Sequence, residues 1–250
     1  MPIQPTLTRY AAGLALFCAF SSPRAADADF VLTAEAAGVQ ASQVSGVTTV
    51  NFNSQSSGTY SSLVTSIGTI NSPGLAIVGA NAYGGAGGNG KYFAIGAQSG
   101  STTATLTLNS SQSYFGFWWS AADPQNKIEF LSGGSVVAQF NPTTALGSLS
   151  SAYLGNPNNN LDGGEKFAYL NLYGTQGSSF DQIRFTNQSQ GSGFESDNWS
   201  VLAASTPPSG TTIPGGVTSV PEPSTLVLSA FGVIGLLGAS IKRSRAANRA

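Results

Sequence analysis

Histidine is absent from this 250-residue chain, and cysteine occurs once, at position 18. Those two shortages exclude Ser-His-Asp and Cys-His catalysis, the common zinc ligand sets and any internal disulfide. Charge is scarce as well. Only 8% of residues are Asp, Glu, Lys or Arg, about a third of the usual share. Between positions 29 and 220 there are nine acids and only four bases (Lys91, Lys127, Lys166 and Arg184), a net of −5. With no basic stripe to meet phosphates, nucleic-acid binding is not expected. Helical periodicity is missing too. The best helical window is 61–67, and its Val and Ile weaken it.

What is present at the two ends reads as addressing rather than fold. Arg9 precedes an apolar stretch at 10–20, and a small, polar segment follows at 21–28. Ala26-Asp27-Ala28 fits the A-x-A cleavage rule, so residues 1–28 are expected to be a signal peptide, handled by the export machinery and signal peptidase. Cys18 follows Ala15-Leu16-Phe17, and the bulky Phe argues against lipid attachment there.

At the other end, Val220-Pro221-Glu222-Pro223-Ser224 leads into sixteen uncharged residues, 226–241, and then Lys242-Arg243-Ser244-Arg245. Counted from Ser224, the run would be about 27 Å long as a helix, just enough for a bilayer core. A transmembrane helix is therefore expected at 225–241, with the basic tail on the cytoplasmic side. Pro-Glu-Pro, apolar helix and basic end, in that order, resemble the PEP-CTERM sorting signal of Gram-negative bacteria that make extracellular polysaccharide. The resemblance implies that a membrane-embedded exosortase recognises Pro221, Glu222 and Pro223 and removes the helix behind them. It also implies association with exopolysaccharide or biofilm.

The body between the ends is dense in strand signals. TTVNFN (48–53), ATLTLN (104–109) and NKIEFL (126–131) alternate, and YFGFWWS (114–120) is an aromatic run. Gly133-Gly134 separates NKIEFL from SVVAQF (135–140), a hairpin signal. KFAYLNLY (166–173), SFDQIRFT (179–186) and the segment 194–202 complete a set of at least eight strands. The expected fold is all-β, an antiparallel two-sheet sandwich over residues 29–204. Residues 205–219, rich in Pro, Gly, Ser and Thr, read as a flexible linker, and 220–250 as the sorting signal. YGGAGGNG (83–90) reads as a loop. The aromatic run and the closing Phe194-Glu195-Ser196-Asp197-Asn198 also resemble the jelly-roll ectodomains common among exosortase-dependent surface proteins. That family carries no chemistry to transfer onto these positions.

Three groups of residues have chemistry to weigh. Of the acids Asp123, Glu129, Asp181, Glu195 and Asp197, only Glu195 and Asp197 have a legible relation: two apart on a strand, they share a face with Cα atoms about 7 Å apart. Paired carboxylates suit glycoside hydrolysis, but solvated acids at a sheet edge are the commoner reason for such a pair, and no enzyme is expected. Glu195, Asp197 and Asn198 with backbone carbonyls offer the hard oxygen ligands that calcium prefers, set against plain Asx-type hydrogen bonding. Trp118 and Trp119, adjacent on a strand, must point to opposite faces. One is expected in the core, and the other outward or beneath a loop, the outward one being the best candidate platform for a sugar ring. Two functions follow: a non-enzymatic surface or matrix protein, or a module binding extracellular polysaccharide through exposed aromatics.

Overall fold

Where apolar residues alternate with a period of two and no long stretch repeats with the period of a helix, backbone polar groups are satisfied between strands rather than within helices. The computed structural model describes residues 29–220. These hold β1 (Asp29–Ala34), β2 (Thr48–Val50), β3 (Gly58–Val64), β4 (Gly68–Gly79), β5 (Lys91–Gly96), β6 (Thr103–Gln112), β7 (Tyr114–Ser120), β8 (Asn126–Ser132) and β9 (Ser135–Phe140). A one-turn helix α1 (Pro142–Leu146) follows, then β10 (Ala168–Thr175), β11 (Phe180–Asn187), β12 (Gly193–Leu202), β13 (Thr211–Thr212) and β14 (Thr218–Ser219). The expected signal peptide (1–28), sorting tripeptide and membrane helix (225–241) lie outside the described residues. Among those described, no helix is long and apolar enough to cross a membrane.

All pairings are antiparallel, and the order is β13-β1-β10-β7-β12-β5-β4-β6-β11-β8-β9-β14, with β2 beside β12 and β3 beside β4. The two separate sheets of the expected sandwich are therefore corrected to one continuous, curled sheet. Two features join what would have been separate sheets. β12 pairs with β7 on one side and with β5 and β2 on the other. β4 pairs with β6 through residues 68–71 and with β5 through 76–79. Between those halves lies Pro73, whose missing N–H is harmless where no ladder bond is made.

The curl is demonstrated by the core. β7 and β9 are seven places apart in the sheet, about 34 Å if it were flat, yet the rings of Phe117 and Phe140 are 6.3 Å apart and those of Trp119 and Phe140 are 6.0 Å apart. Phe185 of β11 stacks on Trp199 of β12 at 4.6 Å. Folding the sheet over buries these rings on both facing halves, which burial of single aromatic side chains makes worth several kcal/mol.

The stretch expected to be a free linker is instead part of this body. β13 pairs with β1 at one edge of the sheet, and β14 pairs with β9 at the other. One segment thus covers both edges. Ile213 between them is buried in the main core, only 3% exposed, and its N–H donates to the Leu32 carbonyl at 2.9 Å. Low-complexity composition hid a β-branched anchor set among Thr residues. The window 61–67 also differs from its helical reading: it lies in β3 and the turn into β4.

Candidate functional site

The alternation along β12 sorts its side chains. Phe194 and Trp199 enter the core, while Glu195 and Asp197 share the opposite face, as their spacing requires. Glu195 stands opposite Ser120 of β7 and Ala94 of β5. It borders a cavity of about 340 Å³ lined by Tyr83, Gln98, Asp123, Glu165, Gly193 and Glu195 among others. Five separate stretches of chain meet there: the 80–90 loop, the turn after β5, the end of β7, the loop before β10 and the start of β12.

Several polar groups in the cavity are held by neighbours. Gln98 donates its Nε2 to Glu195 Oε1 at 3.0 Å, and the Gly193 N–H donates to Asp123 Oδ2 at 3.1 Å. The Asp123 carbonyl accepts the Asn126 N–H at 2.9 Å, which forms the turn into β8. A Cβ at Gly193 would meet the Glu195 carboxyl, which would have to move aside. Asp162, in the loop that carries Glu165, has a buried Oδ2 with no hydrogen-bond partner.

No basic side chain lines the cavity. Lys127 and Arg184 are both paired with Glu129, at 2.9 and 3.4 Å. Lys166 donates to the carbonyls of Leu146 and Leu149, and Lys91 to that of Asn53. Three of the acids here are accordingly raised above the ordinary carboxyl range. Burial, then Asp123, Glu165 and Asp162, push Glu195 up to about 9. Burial, then Asp162 and Asp123, push Glu165 up to about 7. Burial pushes Asp197 up to about 7 against the opposing pull of the Ala86 and Asn198 N–H groups. Burial and the Glu195 charge raise the Tyr92 phenol, beside the same site, to about 12.

The calcium trio fares differently from its sequence reading. Asp197 accepts the Ala86 N–H on Oδ2 at 2.9 Å and the Asn198 N–H on Oδ1 at 2.7 Å. Asn198, at φ 50° in a bulge of β12, donates its amide to the Gln40 carbonyl at 2.7 Å. Asp197 and Asn198 are thus spent on local hydrogen bonds, and Glu195 faces the cavity. Among the described residues no three acids stand close enough to hold a metal ion.

Trp118 and Trp119 do lie on opposite faces, but neither is open to a ligand: they are 1% and 0% exposed. Trp119 stacks on Phe194 at 5.3 Å in the core. Trp118 packs with Ala121, Phe167 and Tyr169 beneath Ala86 of the 80–90 loop. Of the two positions expected for it, outward or beneath a loop, Trp118 takes the second, so it offers no platform to a sugar ring. Among the described residues the aromatic ring most open to solvent is Tyr83, 48% exposed and part of the cavity wall. Of the other acids, Glu129 is taken by its two bases, and Asp181 caps the β8–β9 hairpin by accepting the Gly133 N–H at 3.1 Å. Sequence reasoning found Asp123 and Glu195 but missed Tyr83, Gln98 and Glu165. Only the turn-rich composition around them was visible, and it says nothing of convergence.

The described body is thus an all-β domain bearing an acidic cavity without a base. From the last residue of β14 onward, residues 219–243 match the PEP-CTERM protein-sorting motif. The chain carries that sorting signal, which marks an exported protein processed by an exosortase. The match starts at Ser219, the last residue of β14, and the Val220 N–H still donates to the Val137 carbonyl at 2.9 Å. No curated protein matches the chain.

Proposed function

We propose that this chain is a non-enzymatic display protein of the cell surface or extracellular matrix, held at the inner membrane by residues 225–241 until an exosortase removes them. The observation that carries the reading is the sorting motif, which begins where the β body ends. The body suits such a destination: it is weakly charged, lacks cysteine and histidine between positions 29 and 220, and pairs part of β1 and of β9 with its own chain. Residues 1–28 would be removed on export, and the released body would associate with exopolysaccharide.

Expression in matched hosts with and without an exosortase tests this. With the enzyme, the surface-released chain should lack 226–250 by mass spectrometry. Without it, the chain should stay in the membrane fraction and resist salt washing, because sixteen apolar residues hold far more strongly than four terminal bases. A released form that still contains 226–241 would sink the processing step.

A second reading, a polysaccharide-binding module, is favoured by one observation. The exposed ring of Tyr83 shares a cavity with the Gln98 amide and three carboxyl groups, a combination suited to stacking on a sugar face and hydrogen bonding its rim.

A further inference from the structure

We infer that the cavity between Tyr83, Gln98, Asp123, Glu165 and Glu195 binds an amino sugar, a polyhydroxylated ring carrying a primary ammonium group; the inference rests on the reading of the body as a polysaccharide-binding module. Its volume, about 340 Å³, falls at the lower end of small-molecule sites. What the wall lacks defines the occupant. Glu195 is 3% exposed, and its one side-chain donor, Gln98, reaches Oε1 only. Asp123 accepts the Gly193 N–H on Oδ2. The remaining carboxyl oxygens leave acceptor capacity in a cavity that no Lys or Arg lines.

An ammonium placed there favours the ionised form of carboxyls that burial and crowding otherwise disfavour. A ligand that brings donors and positive charge is therefore matched, and a uronate, sulfate or phosphate, which adds like charge, is not. Size and spacing argue against a bare metal ion, since no three acids are close enough to share one among the described residues. A larger cation spread over a ring fits the same charge. Tyr83 supplies the remaining surface. Its half-exposed ring offers a flat apolar face for the C–H side of a pyranose and a quadrupole for a nearby ammonium.

The test is calorimetric titration of the full-length chain, in detergent at low salt, with short β-1,4-linked glucosamine oligomers. N-acetylated and glucose oligomers of the same length should bind about tenfold more weakly or worse, and oligogalacturonate should give no heat. Tyr83→Ala and Glu195→Gln should each weaken binding about tenfold, and Tyr83→Phe should retain it. Tyr83 is a surface residue, so its variants keep the test decisive if Glu195→Gln folds poorly. No binding by a folded chain overturns the inference, as does equal binding of the acetylated oligomer or of spermidine. A calcium-dependent rise in melting temperature without sugar binding would overturn it too. Failure here leaves exosortase release untouched, and broad silence to all uncharged and cationic glycans would remove the module reading along with it.

Discussion

At the scale of single residues, the main consequence is which groups titrate. A chain without histidine has no side chain whose ordinary pKa lies between pH 5 and 8, yet burial moves carboxyl groups into that range. Glu165 and Asp197 are raised to about 7 and Glu195 to about 9, each from an ordinary carboxyl value. The groups facing Glu195 are Asp123, Glu165, Asp162 and the Tyr92 phenol, none of them a cation. In the folded state these acids bind protons that the unfolded chain has released, so stability falls as pH rises. The stabilising contribution is complete below pH 4.5, the unfolded value for Glu, and is lost as pH climbs through about 7 and then about 9. Scanning calorimetry should give a higher melting temperature at pH 5 than at pH 9. Glu195→Gln, which keeps an acceptor for Gln98 without the charge, should flatten the slope and raise the midpoint at pH 9. A midpoint that rises steadily with pH would show that these acids are not buried together.

At the scale of elements, the segment 205–220 decides how the body is bounded. β13 and β14 contribute two residues each, so their ladder bonds alone are weak, but Ile213 between them fills a core position. Ile213→Ala should cost about 2–5 kcal/mol. A body ending at residue 204 should melt well below one ending at 220 and should aggregate more readily, because the edges of β1 and β9 are then uncovered. Circular dichroism melts of the two lengths check this, and equal midpoints would return the segment to the role of a linker. β12 carries the other element-level device. Its bulge at Asn198 interrupts pairing with β7 between Asp197 and Ser200 while Asp197 ties the 80–90 loop to the sheet. That tether helps to set Tyr83 at the cavity.

At the scale of the whole molecule, folding and sorting meet at one point in the chain. Ser219 belongs both to β14 and to the matched sorting motif, and no spacer separates them. Replacing Pro221, Glu222 and Pro223 together by Ala should abolish exosortase release. The thermal midpoint of the body should not change, because the last described ladder contact, Val220 to Val137, precedes the tripeptide. Retention without a stability change is readable by fractionation and calorimetry on the same sample. A lowered midpoint would mean that the tripeptide supports the fold.

The sequence by itself determined what is local. Alternation and aromatic runs at 114–120, 126–131 and 135–140 coincide with β7, β8 and β9, and the Gly133-Gly134 hairpin joins the last two. The period of two also put Glu195 and Asp197 on one face and split Trp118 from Trp119. Pro221-Glu222-Pro223 with its apolar run needs no fold to be read. Other elements were hidden for local reasons as well: β4 contains Pro73, and β5 (KYFAIG) is buried on both faces and so does not alternate. What the tertiary structure alone decided is contact between distant positions. Gln98 and Glu195, 97 positions apart, meet only because β12 runs beside β5. Trp118 is covered only because the 80–90 loop folds over it. Strand pairing and curl are set by long-range burial, whose free energy depends on which faces meet, and one-dimensional periodicity names the faces without naming their partners.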